Sequence, residues 1–310
     1  MKILVTGGAG FIGSHIVELL AGKEHEVFII DNLSSGKKEN LNPRAKFYQE
    51  DLSNHEKIKE ILEKEKPEII YHLAAQINVR KSVDAPIEDA KINILNTINI
   101  LELALKYNVK HFIFSSTGGA IYGDADEIPT TEDYKEMPLS PYGCAKLAIE
   151  KYLNFYNKVY GLKFTSLRYS NVYGPRQNPE GEAGVIAVFF NKMFVGKNPQ
   201  IFGGIQKRDF IFIEDVAKAN LLALKDKKSE VYNIGTGIET DIIEIFSKIN
   251  KYFKNKFSAE YLEMKKGEQL TSCLSHEKIK NSLNWRPIIN LNEGLDKTYC
   301  WYLKLKNKDL

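Results

Sequence analysis

Cysteine is scarce in this sequence: Cys144, Cys273 and Cys300 are the whole complement, odd in number and widely spaced, with no CxxC pair. Neither a disulfide framework nor a zinc site is indicated, and no other metal-ligand set is visible. An excess of one charge is also lacking. The 43 Lys and Arg against 40 Asp and Glu leave a net +3, and the lysines are scattered rather than gathered into a stripe with interleaved aromatics. That pattern argues against a nucleic-acid partner. Long apolar runs are missing too. None approaches the roughly 20 residues of a membrane helix, and the first, Ile3 to Val5, breaks at once into glycine. Neither a membrane span nor a signal peptide is expected, and the compartment is read as cytoplasmic. Internal repeats and low-complexity segments are absent. What is present, 43% hydrophobic and 27% charged residues over 310 positions, suits a folded enzyme, either one large α/β domain or two smaller ones.

Short β-rich runs alternate with helical patterns through the first half. Candidate strands are Lys2 to Val5, Glu26 to Ile30, Lys46 to Gln49, Ile69 to Leu73 and His111 to Phe114, with a helix from Phe11 to about Leu20. Apolar runs of four or five residues joined by helical crossovers imply parallel strands buried on both faces. The predicted fold class is therefore α/β, a doubly wound parallel (Rossmann) sheet, with ligands at the strands' carboxyl ends. Ala90 to Lys106 and Tyr142 to Tyr160 carry long helical periodicity and are expected to pack on the sheet and on a partner subunit. Beyond Arg168 the pattern is irregular, with Gly and Pro clusters at Gly174 to Gly184 and Asn198 to Gly204. The expected division is a dinucleotide-binding domain at 1–168, rejoined by part of 205–235, and a smaller interleaved substrate lobe at 169–310.

The run TGGAGFIG at Thr6 to Gly13 places Gly7, Gly10 and Gly13 directly after a strand and at the start of a helix. Without Cβ atoms the backbone can turn tightly and approach a pyrophosphate, whose charge is met by amides at the helix N-terminus. Asp31 lies 18 residues beyond Gly13, at the end of the second strand. A carboxylate there accepts hydrogen bonds from ribose hydroxyls and repels a 2′-phosphate, favouring NAD over NADP, with Lys37 and Lys38 nearby as the opposing signal. Asp51-Leu52 after the third strand reads either as an adenine contact or as a helix cap. His72-Leu73-Ala74-Ala75-Gln76 closes the fourth strand with small residues that let the backbone pass close to a cofactor, His72 itself reading as a core histidine.

Tyr142 and Lys146 share one helix face a turn apart. Tyr252 with Lys256, Tyr261 with Lys265 and Tyr302 with Lys306 have the same spacing, but only the first pair follows a candidate fifth strand and a hydroxyl-bearing loop. A phenol with a pKa near 10 is a poor base at neutral pH. A nearby ammonium and a positive nicotinamide would bring it toward the range where it exchanges a proton with a sugar hydroxyl. Ser115-Ser116-Thr117-Gly118-Gly119 ends the fifth strand, where a hydroxyl can bridge Tyr142 and the reacting oxygen, or simply form a polar turn.

Taken in order, TGGAGFIG, DNLSSG (Asp31 to Gly36), HLAAQ, SPYGCAK (Ser140 to Lys146), RYSNVYGPRQ (Arg168 to Gln177), KRDFIFIEDVA (Lys207 to Ala217) and NWRP (Asn284 to Pro287) resemble the extended short-chain dehydrogenase/reductase family, most closely its UDP-glucose 4-epimerase branch. The resemblance spans nearly the whole chain. It implies bound NAD, a UDP-sugar substrate, a homodimer and a 4-keto intermediate, with Tyr142 as acid/base, Lys146 on the nicotinamide ribose, and Thr117 or else Ser116 assisting. The implied cofactor set is Gly7, Gly10, Phe11, Ile12, Gly13, Asp31, Asn32, Ser35, Gly36, Asp51, Leu52, Leu73, Ala74, Ala75, Gln76, Asn93, Ser115, Tyr142, Lys146 and Tyr169. The implied substrate set is Thr117, Tyr142, Asn171, Arg208, Lys265, Glu268 and Ser272.

Departures from the family pattern bear on this. The loop after the fifth strand is one residue longer than the common form, and the Phe202 to Arg208 loop one shorter. Lys265 stands where an arginine is frequent, so bidentate phosphate contact is lost. Ser272 is either the small residue beside the sugar, leaving room for an N-acetyl group, or an exposed serine of no consequence. Gly118 and Gly119 occupy the place of the Asp and Glu that dehydratases use. A decarboxylase, a glucuronate epimerase and a non-catalytic NAD-sensing protein remain the rival readings.

Overall fold

The computed structural model describes residues 1–180, 184–264 and 269–306. One sheet contains β1 (Lys2–Thr6), β2 (Glu26–Asp31), β3 (Lys46–Gln49), β4 (Ile69–His72), β5 (His111–Thr117), β6 (Lys163–Tyr169) and β7 (Glu230–Ile234), in the order β7-β6-β5-β4-β1-β2-β3. All six pairings are parallel, which is the doubly wound arrangement expected from the short apolar runs. The order reverses between β1 and β4, so a crevice opens at the carboxyl ends of these two strands.

Alternation along β1 shows why the sheet needs two covers. Ile3 and Val5 pack with Ile16, Val17 and Leu20 of helix Phe11–Ala21 and with Val216 of helix Ile213–Ala223. Leu4 faces the other way, toward Ile58 and Leu62 of His55–Glu65, Ile100 of Asn96–Lys106 and Ile149 of Pro141–Tyr160. Each such fully buried side chain contributes roughly 1.5–3 kcal/mol.

The structure extends and corrects the sequence reading in three places. β5 continues three residues past Phe114, with Ser115, Ser116 and Thr117 paired to Leu167, Arg168 and Tyr169. β6 escaped the apolar-run criterion because it carries Thr165, Ser166 and Arg168, and all three are buried with partners. Thr165 Oγ1 lies 2.9 Å from His111 Nε2, Ser166 Oγ donates to Glu150 at 2.9 Å, and Arg168 pairs with Glu150 at 2.6 Å. The expected single helix from Ala90 to Lys106 is instead helix Pro86–Ala90, a π-helical stretch Lys91–Leu95 and helix Asn96–Lys106. Helix Pro141–Tyr160 starts where Ser140 Oγ accepts from Gly143 N at 3.2 Å, with Pro141 in the first turn, and ends at left-handed Gly161.

The later chain forms short sheets: Asn171–Tyr173 beside Phe210–Phe212, Lys207–Arg208 between Thr240–Asp241 and Thr271–Ser272, and Gln200–Phe202 beside Glu260–Leu262. Strands of two or three residues cannot carry a core by themselves. Aromatic packing between helices supplies it, as in Phe190 with Tyr302 at 5.5 Å and Tyr252 with Tyr299 at 4.7 Å. No described helix is long and apolar enough to cross a membrane.

Candidate active site

The turn after β1 is set by close backbone contacts. Gly7 adopts φ +73°, and a Cβ there would lie 2.7 Å from Ala74 N, while one at Gly13 would meet Gly7 O at 2.1 Å. The glycines therefore bring the helix and the Leu73-Ala74 backbone against the strand end. Gly10 is the N-cap of helix Phe11–Ala21; it makes no side-chain cap and the first turn holds no acidic residue. The amides of Phe11, Ile12 and Gly13 are thus the leading donors of a helix end suited to an anion.

Asp31 is buried beside this turn. Its Oδ2 accepts from Ala9 N at 3.0 Å and its Oδ1 from Leu33 N at 2.8 Å. A Cβ on Gly36 would approach Oδ1 to 2.9 Å, so glycine lets the DNLSSG turn close over the carboxylate. Ser35 is exposed on that turn. Asn32 donates to Asp51 at 2.6 Å, and the Ser53 hydroxyl and amide hold Asp51 below the ordinary carboxylate value. The cap of the following helix is Asn54, which accepts from Lys57 N, so the helix-cap reading of Asp51 is set aside. Leu52 packs on the neighbouring core. A pinned carboxylate with lone pairs to spare and an uncapped helix end fit a dinucleotide with unphosphorylated ribose.

His72 is a core residue, as the sequence suggested. Thr6 Oγ1 and Thr97 Oγ1 lie 2.9 Å from its two ring nitrogens, and burial pulls its pKa down to about 3. Beyond Ala75 the loop is held by Asn93, whose Oδ1 accepts from Gln76 N and whose Nδ2 donates to Gln76 O, both at 2.9 Å. The π-helical stretch points that amide at the loop, giving Asn93 a positioning part. Buried Asp89 joins the cluster through Gln76 Nε2 and Asn93 Nδ2, each at 2.9 Å. The sequence reading passed over Asp89, although its place four residues before Asn93 puts both on one helix face.

The end of β5 presents its hydroxyls alternately. Ser115 and Thr117 are half-buried, whereas Ser116 is buried and its Oγ has no hydrogen-bond partner among the described residues. Lys146 Nζ donates to Ser115 O at 2.7 Å and lies 4.7 Å from the Phe114 ring centroid and 5.8 Å from that of Tyr142. Burial draws Lys146 down to about 8, opposed by the charges of Asp89 and Glu150. For Tyr142, burial first, then the charge of Asp89, push the phenol above its ordinary value. Tyr142 N donates to Ser82 Oγ at 3.2 Å, a clamp with no motif of its own to announce it. Tyr169, the last cofactor candidate along the chain, bonds through its hydroxyl to Asn220 at 3.0 Å and lies in the interior.

Around Gly119, three candidate substrate residues converge. A Cβ built on Gly119 would lie 3.9 Å from Ser272 Oγ, 3.9 Å from Thr117 Oγ1 and 4.0 Å from Asn171 Oδ1. Asn171 Oδ1 is buried and without a hydrogen-bond partner among the described residues. Ser272 is 5% exposed, which overturns its reading as an exposed serine. Gly119 itself is the neighbour that sequence reasoning treated only as a missing acid. Arg208 donates to the carbonyls of Leu270 at 3.0 Å and Gln269 at 2.5 Å, beside this cradle. Lys265 and Glu268 lie outside the described residues.

A switch-point crevice, a glycine turn beside a pinned carboxylate and a tyrosine-lysine helix next to a hydroxyl-bearing strand define a dinucleotide-dependent enzyme of the extended short-chain dehydrogenase/reductase type. Within that class the chain belongs to the NAD dependent epimerase/dehydratase family, whose model matches residues 3–235. It is 38% identical over 305 residues to the UDP-glucose 4-epimerase of Mycolicibacterium smegmatis, covering 96% of this chain and 97% of that one. The UDP-glucose 4-epimerase of Thermotoga maritima, solved with UDP-glucose, superposes with TM-score 0.97 at 47% identity, covering 99% of this chain and 100% of that one. The Thermus thermophilus enzyme of the same name, solved with NAD, gives TM-score 0.94 at 38% identity over 98% and 99% of the two chains.

Proposed function

We propose that this protein is a UDP-hexose 4-epimerase that interconverts UDP-glucose and UDP-galactose. The observation that supports the reading is that Lys146, beside the Tyr142 ring, donates to the Ser115 carbonyl of β5, the strand whose Thr117 lines a polar cradle with Asn171 and Ser272. Residues 1–168, with β7 and helix Ile213–Ala223 returning to them, serve as the cofactor half, and the remainder as the sugar-nucleotide half.

The amides of Phe11 to Gly13 would hold the NAD pyrophosphate, Asp31 its adenosine ribose, and Lys146 its nicotinamide ribose. When bound, NAD supplies a positive ring and a hydride acceptor that gives the hydride back, so net redox change is zero. The chain's own work is binding and proton transfer. Tyr142 Oη takes the proton of the sugar 4-hydroxyl and later returns one to the 4-keto oxygen, with the Thr117 hydroxyl bridging. Lys146, fixed on Ser115 O, keeps positive charge near the phenolate. Asn171 and Arg208 grip the UDP, and that remote binding lets the sugar turn over without being released. The buried, small Ser272 leaves space for an N-acetyl group, so UDP-N-acetylhexosamines are substrates as well.

The half-exposed apolar side chains Tyr152, Phe155 and Val159 lie three and four apart on helix Pro141–Tyr160, and they support pairing of two copies through this helix and 90–106. The free cysteines fit a cytoplasmic setting. The decisive assay incubates the purified protein, without added NAD, with UDP-galactose, UDP-N-acetylgalactosamine and UDP-glucuronate, and identifies the products. UDP-glucose from UDP-galactose is expected; its absence sinks the assignment, and turnover of UDP-galactose alone sinks the N-acetyl part.

A further inference from the structure

Beyond β5 the chain makes the short helix Gly118–Ile121 and then turns at Tyr122, Gly123 and Asp124. Gly123 adopts φ +65°, and a Cβ on it would lie 2.4 Å from Met137 O, so the turn is pressed against the segment that leads into the Tyr142 helix. On its other side the turn holds the approach to strand Thr271–Ser272. Gly123 O accepts from Gln269 Nε2, and Asp124 Oδ1 accepts from Leu270 N at 3.0 Å. The carbonyls of these same two residues are the ones on which the Arg208 guanidinium rests.

Tyr122 anchors the turn from the core. It is 2% exposed, and its hydroxyl accepts from Arg168 Nη1 at 2.7 Å and donates to Asn233 Oδ1 at 2.8 Å. Arg168 is tied in turn to Glu150, through Nε at 3.1 Å and Nη2 at 2.6 Å. Glu150 stands four residues beyond Lys146, as Lys146 does beyond Tyr142, which puts all three on one face of the same helix. A hydrogen-bonded path therefore runs from the acid/base helix through Arg168, Tyr122 and the Gly123–Asp124 turn to Arg208. A buried ion pair commonly adds no more stability than apolar side chains of the same volume, whereas its hydrogen bonds fix the direction in which each member points.

We propose that Tyr122 is a positioning residue for the sugar nucleotide: its hydroxyl locks the turn that holds Gln269 and Leu270, and through their carbonyls it sets the place of Arg208 relative to the Tyr142 helix. The proposal rests on the epimerase reading for the part given to Arg208 as a grip on UDP.

The test is Tyr122→Phe, which keeps the ring and removes the hydroxyl, with UDP itself as the probe in titration calorimetry of the NAD-loaded protein. The Kd for UDP should rise about tenfold, with NAD content unchanged, and in turnover the loss should fall on KM rather than kcat. In an Arg208→Ala background the same substitution should add less than about twofold, because its effect runs through the lost guanidinium. Gln269→Ala, which breaks the path from the solvent end, should behave in the same way. Unchanged UDP affinity in Tyr122→Phe, even with a lowered thermal midpoint, overturns the proposal and leaves Tyr122 a packing residue; so do losses that multiply in the double variant. If Tyr122→Phe does not fold, Gln269→Ala decides, and unchanged UDP affinity there overturns the proposal. Calorimetry needs no sugar turnover, so a protein that binds UDP and fails to epimerise sinks the proposed reaction and leaves this test intact.

Discussion

The two walls of the crevice are built differently. On the dinucleotide side, Ser116 Oγ and the uncapped helix end apart, the named polar side chains satisfy one another: Asp31 is held by Ala9 and Leu33 amides, His72 by two threonines, and Asn93 by Gln76 and Asp89. Long buried strands and close glycine contacts fix the backbone there. On the sugar-nucleotide side the strands are two or three residues long, and Asn171 Oδ1 is buried without a partner among the described residues. An unsatisfied buried acceptor costs about 1–3 kcal/mol, a cost that a ligand donor can offset. One wall recognises by backbone shape, the other by side chains left open to a substrate.

Tyr142→Phe attacks the line where the walls meet and should have the largest effect. Removing the proton carrier should cut kcat by roughly 10³-fold while NAD stays with the purified protein, measured by turnover and by cofactor absorbance. Unchanged turnover would discard the assignment. Gly13→Ala strikes the backbone-built wall. With its Cβ 2.1 Å from Gly7 O, the turn must open, and a loss of about 3 kcal/mol is expected in denaturant titration.

The pH dependence of stability sharpens the same contrast. His72 and His111 have folded-state values of about 3, below the ordinary 6.5. As pH falls below 6.5 the unfolded chain takes up these protons first, so stability is full above that point and declines toward pH 3. The slope reaches at most about 1.4 kcal/mol per pH unit for each histidine. Denaturant midpoints followed from pH 7 to 4 test this, with His72→Asn expected to flatten the slope. The smallest effect belongs to the open wall. Asn171→Ala should raise KM for the UDP-sugar about tenfold, or about 1.4 kcal/mol, and leave the thermal midpoint in place; a large drop in stability would mean that this wall is as self-supporting as the other.

How much of this was legible in the sequence varied along the same divide. Gly7, Gly13 and Asp31 were readable because their parts depend on backbone freedom and position after a strand. β6 was not, because Thr165 and Arg168 read as polar until their partners on β5 and helix Pro141–Tyr160 are known. Asp89 lay hidden for a similar reason, since its significance depends on Gln76 in the preceding loop.

Local order therefore determined the parallel α/β class, the dinucleotide turn and the Tyr142–Lys146 face, since strand runs, glycine turns and helical spacing are short-range properties of the chain. Tertiary structure alone decided that Ser272 is buried beside Asn171 and Thr117, and that desolvation raises the Tyr142 phenol. Burial and electrostatics depend on distances between segments far apart in sequence, and only folding sets those distances.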